Sequence, residues 1–129
     1  VSAVHEILDA QTPTPVPNSD AFAPGLTNVR GVVVPVVDIR HRLGMAPARN
    51  LETARMIVVE VPIDGLPQKL AFFADAVEDV IEADCSVAER VPELGAVWPQ
   101  VYLRGAVRRA GELVILLNTG TLFHPMAAA

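Results

Sequence analysis

The side chains that could do acid–base, nucleophilic or metal chemistry are few and lie far apart in the chain. Three histidines, His5, His41 and His124, are isolated, and none stands at a metal-ligand spacing from another histidine, a cysteine or a carboxylate. The single cysteine, Cys85, follows Asp84 in an acidic run, where negative charge disfavours the thiolate that a nucleophile requires. We therefore predict no catalytic residue, no metal site and no cofactor, and a chain that is not an enzyme.

Two further ligand-binding patterns are incomplete. The eight glycines occur singly, so no phosphate-binding loop of the GxGxxG or Walker type is present. The acidic run from Asp75 to Asp84 lacks the alternating oxygen ligands and the final bidentate glutamate of a calcium loop. A solvated strand face explains this run more simply, with apolar alternates such as Val77 and Val80 packing inward.

Arg30 is the charged residue with the most informative setting. It lies close to Asn28, directly before Gly31, and ahead of a wholly apolar run. Its guanidinium either caps loop carbonyls at the end of a strand or presents a planar donor fork at a binding surface, where arginine is enriched. The two interpretations are compatible if the loop that it braces belongs to an interface.

Composition and charge limit the class of protein. At 129 residues the chain forms one domain, or two small barrels that share a core. The apolar fraction of 51% excludes a disordered chain, and no apolar run approaches the roughly 20 residues of a membrane-spanning helix, so we expect a soluble protein. A single cysteine fits a reducing compartment such as the cytoplasm. Residues 50–93 carry ten acids and three bases, which disfavours nucleic acid as a partner.

The elements that position these residues are predicted to be mostly short strands, because 11 prolines and eight glycines imply many chain reversals. Val1–Leu8 is interpreted as the end of a strand that runs into one helical turn, because Ile7 and Leu8 follow Val4 at spacings of three and four, which places them on one helix face. Three alternating prolines in Gln11–Asn18 predict a surface crossing or an edge strand.

The β-branched run Val32–Ile39 predicts a strand buried on both faces, and Pro35 within it implies a bulge or a free edge. Asp38 is a predicted N-cap for a short helix, Ile39–Leu43, that ends at Gly44. Further strands are predicted at Met56–Val61 and Leu70–Phe73 around an Asp64-Gly65 turn, and at Tyr102–Val107 and Leu113–Leu117 across Ala110-Gly111.

A weak internal repeat relates Val29–Val33 to Leu103–Val107, and Asp38 and Asn118 follow the two copies. The arginines of the two copies are 74 residues apart and the Asp/Asn positions are 80 apart, a difference that we assign to an extra hairpin tip around Arg108–Glu112. Two related half-structures that bury one face against each other would explain the repeat. Chance similarity of two Arg-Gly turns explains it equally well.

The stretch GLTNVRGVVVPVVDIR, residues 25–40, resembles the signature of the CheW-like family, the bacterial chemotaxis adaptors. Its string G-x-x-N-x-R-G-x-x-x-P-x-x-D is specific. The resemblance covers nearly the whole chain, so residues 1–129 are interpreted as a single CheW-like domain. It extends to Val4–Ile7, Ile57–Val59, Ala74–Val80, Tyr102–Gly105 and Ile115–Asn118.

This resemblance implies a mostly β fold of two small five-stranded SH3-like β-barrels that share a hydrophobic core, with short helices. It implies a non-catalytic adaptor that couples the cytoplasmic helix of a chemoreceptor to a CheA-type histidine kinase by binding the kinase's own CheW-like regulatory domain. In the family the receptor helix lies in a groove between the barrels, and an amphipathic helix docks by its apolar face. We expect a cytoplasmic protein recruited to membrane-associated receptor arrays.

The family's functional positions carry over to specific residues here. The predicted kinase contact consists of Arg90 and Leu94. These two residues match the family less well than the receptor positions do, since they lie outside the motif. Ordinary core packing is the competing interpretation for each valine at the receptor site. The predicted receptor-binding groove comprises Val4, Glu6, Gly25, Asn28, Arg30, Val77 and Val80.

Two alternatives stay open. Family members normally begin with a pair of strands ahead of the V-x-E-I turn, which corresponds to Val4–Ile7 here. This chain lacks that strand pair, which would leave one barrel with an open edge. Because the sequence begins at Val1 without an initiator methionine, the chain could also be a CheW-like module of a larger protein, either a kinase regulatory domain or an adaptor fused to a receiver domain. A small enzyme or ligand-binding barrel with its site in the groove is the rival from another class, and the lack of clustered polar residues argues against it.

Overall fold

The computed structural model describes residues 4–45, 54–79, 85–90 and 99–124. These residues contain eight strands, two short α-helices and two short 3₁₀ helices at Cys85–Val87 and Gln100–Tyr102. The predicted mostly β class is confirmed. The strands are β1 Val4–Asp9, β2 Thr14–Pro15, β3 Gly25–Val29, β4 Val32–Val36, β5 Arg55–Ile63, β6 Leu66–Ala74, β7 Leu103–Arg109 and β8 Glu112–Leu117, and the helices are α1 Ile39–Leu43 and α2 Thr119–Leu122.

The strands form two sheets. Six of them follow the order β1-β5-β6-β4-β3-β2, and β7 and β8 form a separate antiparallel hairpin. Pairing in the larger sheet is antiparallel except between β4 and β6, which meet in parallel at Val36 and Ala71. The larger sheet curls, because β1 at one edge reaches the turn between β3 and β4 near the other edge: Arg30 Nε donates to Glu6 Oε2 at 2.8 Å. Two sheets of this kind fit the expected pair of barrel-like halves.

The hairpin of β5 and β6 separates two apolar clusters. Successive side chains of a strand point to opposite faces, so Met56 and Val58 enter the interior of the curled sheet while Val59 and Val61 face the other way. This second face packs against Tyr102, among others, on the β7–β8 side of the molecule. Burial on both faces explains the continuous apolar run of β5, and the second cluster is the shared core that was predicted.

Two expectations for strands are wrong in part. Val4–Asp9 is extended throughout and pairs with β5, so the predicted helical turn is absent; the pairing of a whole strand outweighs a spacing pattern of three residues. Burial on both faces holds only at the end of the predicted run, where Val36 enters one apolar cluster and Val37 enters the other. Along β4 only the face of Val34 and Val36 is buried; Val33 on the opposite face is 64% exposed and belongs to neither cluster.

The predicted turns, edge strand and caps are confirmed. The proline-rich segment forms the edge strand β2 on β3. Asp38 Oδ1 accepts the His41 N–H at 3.3 Å at the start of α1, and Gly44 ends the helix at φ +69°. At the start of α2, Asn118 Oδ1 accepts the N–H groups of Gly120 and Thr121 at 3.1 and 3.3 Å.

The internal repeat exists, but in a different register. The two-residue turns Arg30-Gly31 and Ala110-Gly111, the caps Asp38 and Asn118, and the starts of α1 and α2 are each 80 residues apart. Arg104-Gly105 lies inside β7, so its likeness to Arg30-Gly31 is local, and the extra hairpin tip that we assigned is wrong. Each half therefore contains a hairpin followed by an Asx-capped short helix.

Candidate functional site

Arg30 stands at the tip of a two-residue turn between β3 and β4. Arg30 and Gly31 adopt φ values of +53° and +82°, the left-handed conformation that a tight hairpin of this kind requires. Asn28 Oδ1 accepts the Gly31 N–H at 2.8 Å, which explains why an asparagine precedes the turn. The turn leaves the Arg30 side chain 79% exposed.

The guanidinium of Arg30 forms an ion pair with Glu6 of β1. Arg30 Nε donates to Glu6 Oε2 at 2.8 Å, and Nη2 lies 2.7 Å from the same oxygen. The hydrogen bond from Arg30 holds the pKa of the Glu6 carboxyl below its ordinary value, and Glu6 in turn raises the pKa of Arg30. The pair connects β1 to the β3–β4 turn and so helps to close the curled sheet.

A small cavity lies beside this ion pair, and we call it the barrel-mouth pocket. Its volume is about 60 Å³, which suits a group the size of a few carbon atoms and is well below the several hundred Å³ of a typical small-molecule site. The pocket can receive a side chain of a protein partner but is too small for an organic cofactor. It is lined by Val29, Val32, Val34 and Val58, and by His5, Glu6, Arg30 and Lys69.

The structure brings four of the predicted receptor-site residues to this end of the sheet. Glu6 and Arg30 are in direct contact, Asn28 braces their turn, and Val4 begins the same strand as Glu6 with 52% of its surface exposed. Gly25 lies at the far end of β3 and is buried: a Cβ there would stand 2.8 Å from the carbonyl oxygen of Thr14. It can support a binding surface only through the backbone.

The other predicted positions lie after β6. Val77 is exposed between Asp75, which is paired with Arg40 of α1, and Asp79, whose Oδ2 lies 2.7 Å from Arg109 Nη2 on β7. This part of the chain therefore passes from the first half of the molecule to the second.

For the predicted kinase contact, Arg90 is exposed directly after Glu89. The backbone of Glu89 pairs with that of Ala106 on β7, which anchors Arg90 beside the second sheet. Val80 and Leu94, the remaining predicted positions, lie outside the described residues.

A second apolar depression lies between the two halves, and we call it the inter-sheet groove; the family resemblance implied a groove in this place, but none of its lining residues was predicted. Its volume is about 200 Å³. One wall comes from the end of α1 and the other from β7 and β8, and the lining contains no titratable group. The sequence offered one signal of this groove, the apolar run of β8. In the structure no residue of that strand is fully buried, so part of its apolar surface stays accessible. The groove is lined by Leu43, Met45, Leu103, Ile115 and Leu117.

Two further kinds of site, a metal-ligand cluster and a membrane-spanning helix, are not found among the described residues. Among them, no three histidine, cysteine or acidic side chains converge as metal ligands would. Within the same ranges, no helix combines the length and the apolar character that crossing a bilayer demands. What the arrangement can do is bind apolar and charged surfaces of other proteins.

Comparison with known proteins assigns this architecture to a family. Residues 1–125 match the CheW-like domain. The chain belongs to the CheW-like family. It is 32% identical over 122 residues to the chemotaxis protein CheW of Bacillus subtilis (strain 168), covering 95% of this chain and 76% of that protein. It is 27% identical over 123 residues to the chemotaxis protein CheW of Rhizobium meliloti (strain 1021), covering 95% and 77%.

The fold of this CheW-like domain agrees with a crystal structure from the same family. It superposes on the scaffolding protein TtCheW from Thermoanaerobacter tengcongensis with a TM-score of 0.77 at 27% identity, covering 96% of this chain and 77% of that one. The family resemblance and the fold predicted from the sequence are therefore confirmed.

Proposed function

We propose that this CheW-like domain is a non-catalytic scaffold that couples the cytoplasmic helix of a chemoreceptor to a CheA-type histidine kinase. The observation that carries the proposal is the inter-sheet groove, an all-apolar depression whose two walls come from the two halves of the molecule. The named relatives support it, since they are chemotaxis proteins and the solved neighbour is a scaffolding protein.

The inter-sheet groove suits the apolar face of a receptor helix. A helix that docks in a groove inserts side chains spaced three and four residues apart, and it needs apolar walls rather than hydrogen-bonding groups. Met45, which is 41% exposed at the groove, has a flexible thioether side chain that can adapt to such a surface. No acid–base or nucleophilic group enters this contact.

The barrel-mouth residues belong to the same proposal as a second receptor contact. Val4 and Arg30 are exposed, and Asn28 and Glu6 hold the turn that presents Arg30. The proposed receptor site also includes Gly25, at the far end of β3, which contributes through its backbone, and the valines Val77 and Val80, which follow β6 in the sequence.

For the kinase, we propose a contact through Arg90 and Leu94. Arg90 is exposed next to the point where the chain pairs with β7, and it would meet the kinase's CheW-like regulatory domain. A protein that works this way acts in the cytoplasm and is recruited to receptor arrays by its partners.

The groove contact is tested by two matched substitutions and a binding titration against an immobilised chemoreceptor cytoplasmic fragment. Met45→Asp places a carboxylate in the groove, and we expect affinity to fall roughly tenfold or more because a charge would be desolvated without a partner. Leu66→Asp is the control, because Leu66 is 65% exposed at the β5–β6 turn. Equal loss in both variants, or none in Met45→Asp, would remove the groove from the proposal.

A further inference from the structure

Arg42 of α1 makes contacts that reach across the molecule. Its Nη1 donates to the main-chain carbonyl oxygens of Leu122 and His124, at 2.6 Å each, at the end of α2. The same guanidinium lies over the ring of Phe22, 3.4 Å from the ring centroid. One side chain thus joins the short helix of the first half to the short helix of the second.

These contacts connect the two walls of the inter-sheet groove. Leu43 follows Arg42 directly and lines one wall. Leu117 lines the other wall, and the chain passes from it through Asn118 into α2, whose terminal carbonyls Arg42 binds. The distance between the walls is therefore set by a short path in which Arg42 is the cross-link.

Arginine is the residue type suited to this position. A planar guanidinium can donate to two carbonyl oxygens in its own plane while its face stacks on an aromatic ring. Lysine carries the same charge but has no flat face and no fork. Burial lowers the pKa of Arg42 below its ordinary value, which agrees with a cation drawn in between the two halves.

We propose that Arg42 is a positioning residue that fixes the width of the inter-sheet groove, and through it the affinity for the receptor helix. The groove geometry is independent of any partner, whereas the effect on affinity rests on the function proposed above.

The geometry is tested by NMR on Arg42→Met, Arg42→Lys and, as a control on the same helix, Arg40→Met, whose native side chain pairs with Asp75 instead. Arg42→Met is expected to weaken methyl contacts between Met45 and Ile115 and to speed amide exchange at Phe123 by about tenfold or more. Arg42→Lys should fall between Arg42→Met and the wild type, and Arg40→Met should match the wild type.

The proposal is overturned if Arg42→Met keeps wild-type methyl contacts across the groove and wild-type exchange at Phe123. If Arg42→Met does not fold, Arg42→Lys decides: its cross-groove contacts must weaken while exchange in the β5 interior, at Met56 and Val58, stays unchanged.

Affinity is then measured with the chemoreceptor cytoplasmic fragment. We expect Arg42→Met to bind roughly tenfold more weakly and Arg42→Lys to recover part of the loss. A wild-type protein that does not bind the fragment contradicts the proposed function alone, because the NMR result still decides the role of Arg42. Wild-type affinity in a variant whose groove has changed contradicts the link between groove width and binding.

Discussion

At the scale of single residues, the ion pair between Glu6 and Arg30 joins β1 to the β3–β4 turn beside the barrel-mouth pocket. The string around Arg30 singled it out, and the turn with its Asn28 hydrogen bond bears out the local geometry. Its partner Glu6 lies 24 residues earlier in the chain, so the ion pair could be seen only once β1 and the β3–β4 turn were placed side by side. Arg42 was missed because its partners are main-chain carbonyls 80 and 82 residues away, which no side-chain pattern announces.

Reversing the charge of Arg30 tests the barrel-mouth contact. Arg30→Glu is expected to weaken association with the receptor fragment while leaving the fold intact, because the side chain is 79% exposed and contributes little to packing. Pull-down together with a urea unfolding curve separates the two effects. Binding at the wild-type level would exclude Arg30 from the interface.

Acid should remove the contribution of the same ion pair to stability. The folded-state pKa of Glu6 is lowered from 4.5, so its stabilising effect is present above that pH and is lost as pH falls through the folded value. The unfolding midpoints of the wild type and Glu6→Gln should therefore differ at neutral pH and converge in acid, once the pH falls below the lowered pKa of Glu6. A difference that persists or grows in acid would contradict this assignment.

At the scale of elements, turns and caps were predictable because their chemistry is local. Asp38 and Asn118 each hydrogen-bond to N–H groups two or three residues ahead, so the sequence contains both partners. The N-terminal strand was mispredicted in part because its partner β5 lies about 50 residues further along the chain. The repeat register failed for a related reason: an Arg-Gly pair is too short to distinguish a turn from a strand.

Removing the α2 cap should destabilise the protein measurably. Asn118→Ala is expected to lower the free energy of unfolding by about 1–2 kcal/mol, because two N–H groups lose their acceptor. Asn118→Asp keeps the acceptor and should recover most of the loss. Urea denaturation measures both variants, and equal stability of Asn118→Ala and the wild type would show that the cap contributes nothing.

Adding one methyl group at Gly25 should displace the edge strand β2. The new Cβ would lie 2.8 Å from the Thr14 carbonyl oxygen, so we expect Gly25→Ala to lower stability by about 1–3 kcal/mol. Gly120→Ala is the control, because a Cβ there meets its nearest atom at 3.4 Å. The prediction fails if the two substitutions have the same effect in urea denaturation.

At the scale of the whole molecule, the architecture explains why an adaptor needs both halves. The β5–β6 hairpin has one apolar cluster on each face, and the cluster between the halves leaves a groove open at its margin. The fold class could be predicted from the strand-rich composition, and the CheW-like family could be predicted from the sequence signature at residues 25–40. The residues that line the groove could not be predicted, because Leu43 and Leu117 lie 74 residues apart and look like ordinary core residues in the sequence.

The proposed coupling of a chemoreceptor to a kinase by one non-catalytic chain is tested by a bridging experiment. The kinase's CheW-like regulatory domain is passed over an immobilised chemoreceptor cytoplasmic fragment with and without this chain. We predict that the kinase domain is retained only when the chain is present, and that all three proteins keep their original masses. Retention without the chain, or competition between the two partners for it, would contradict the account.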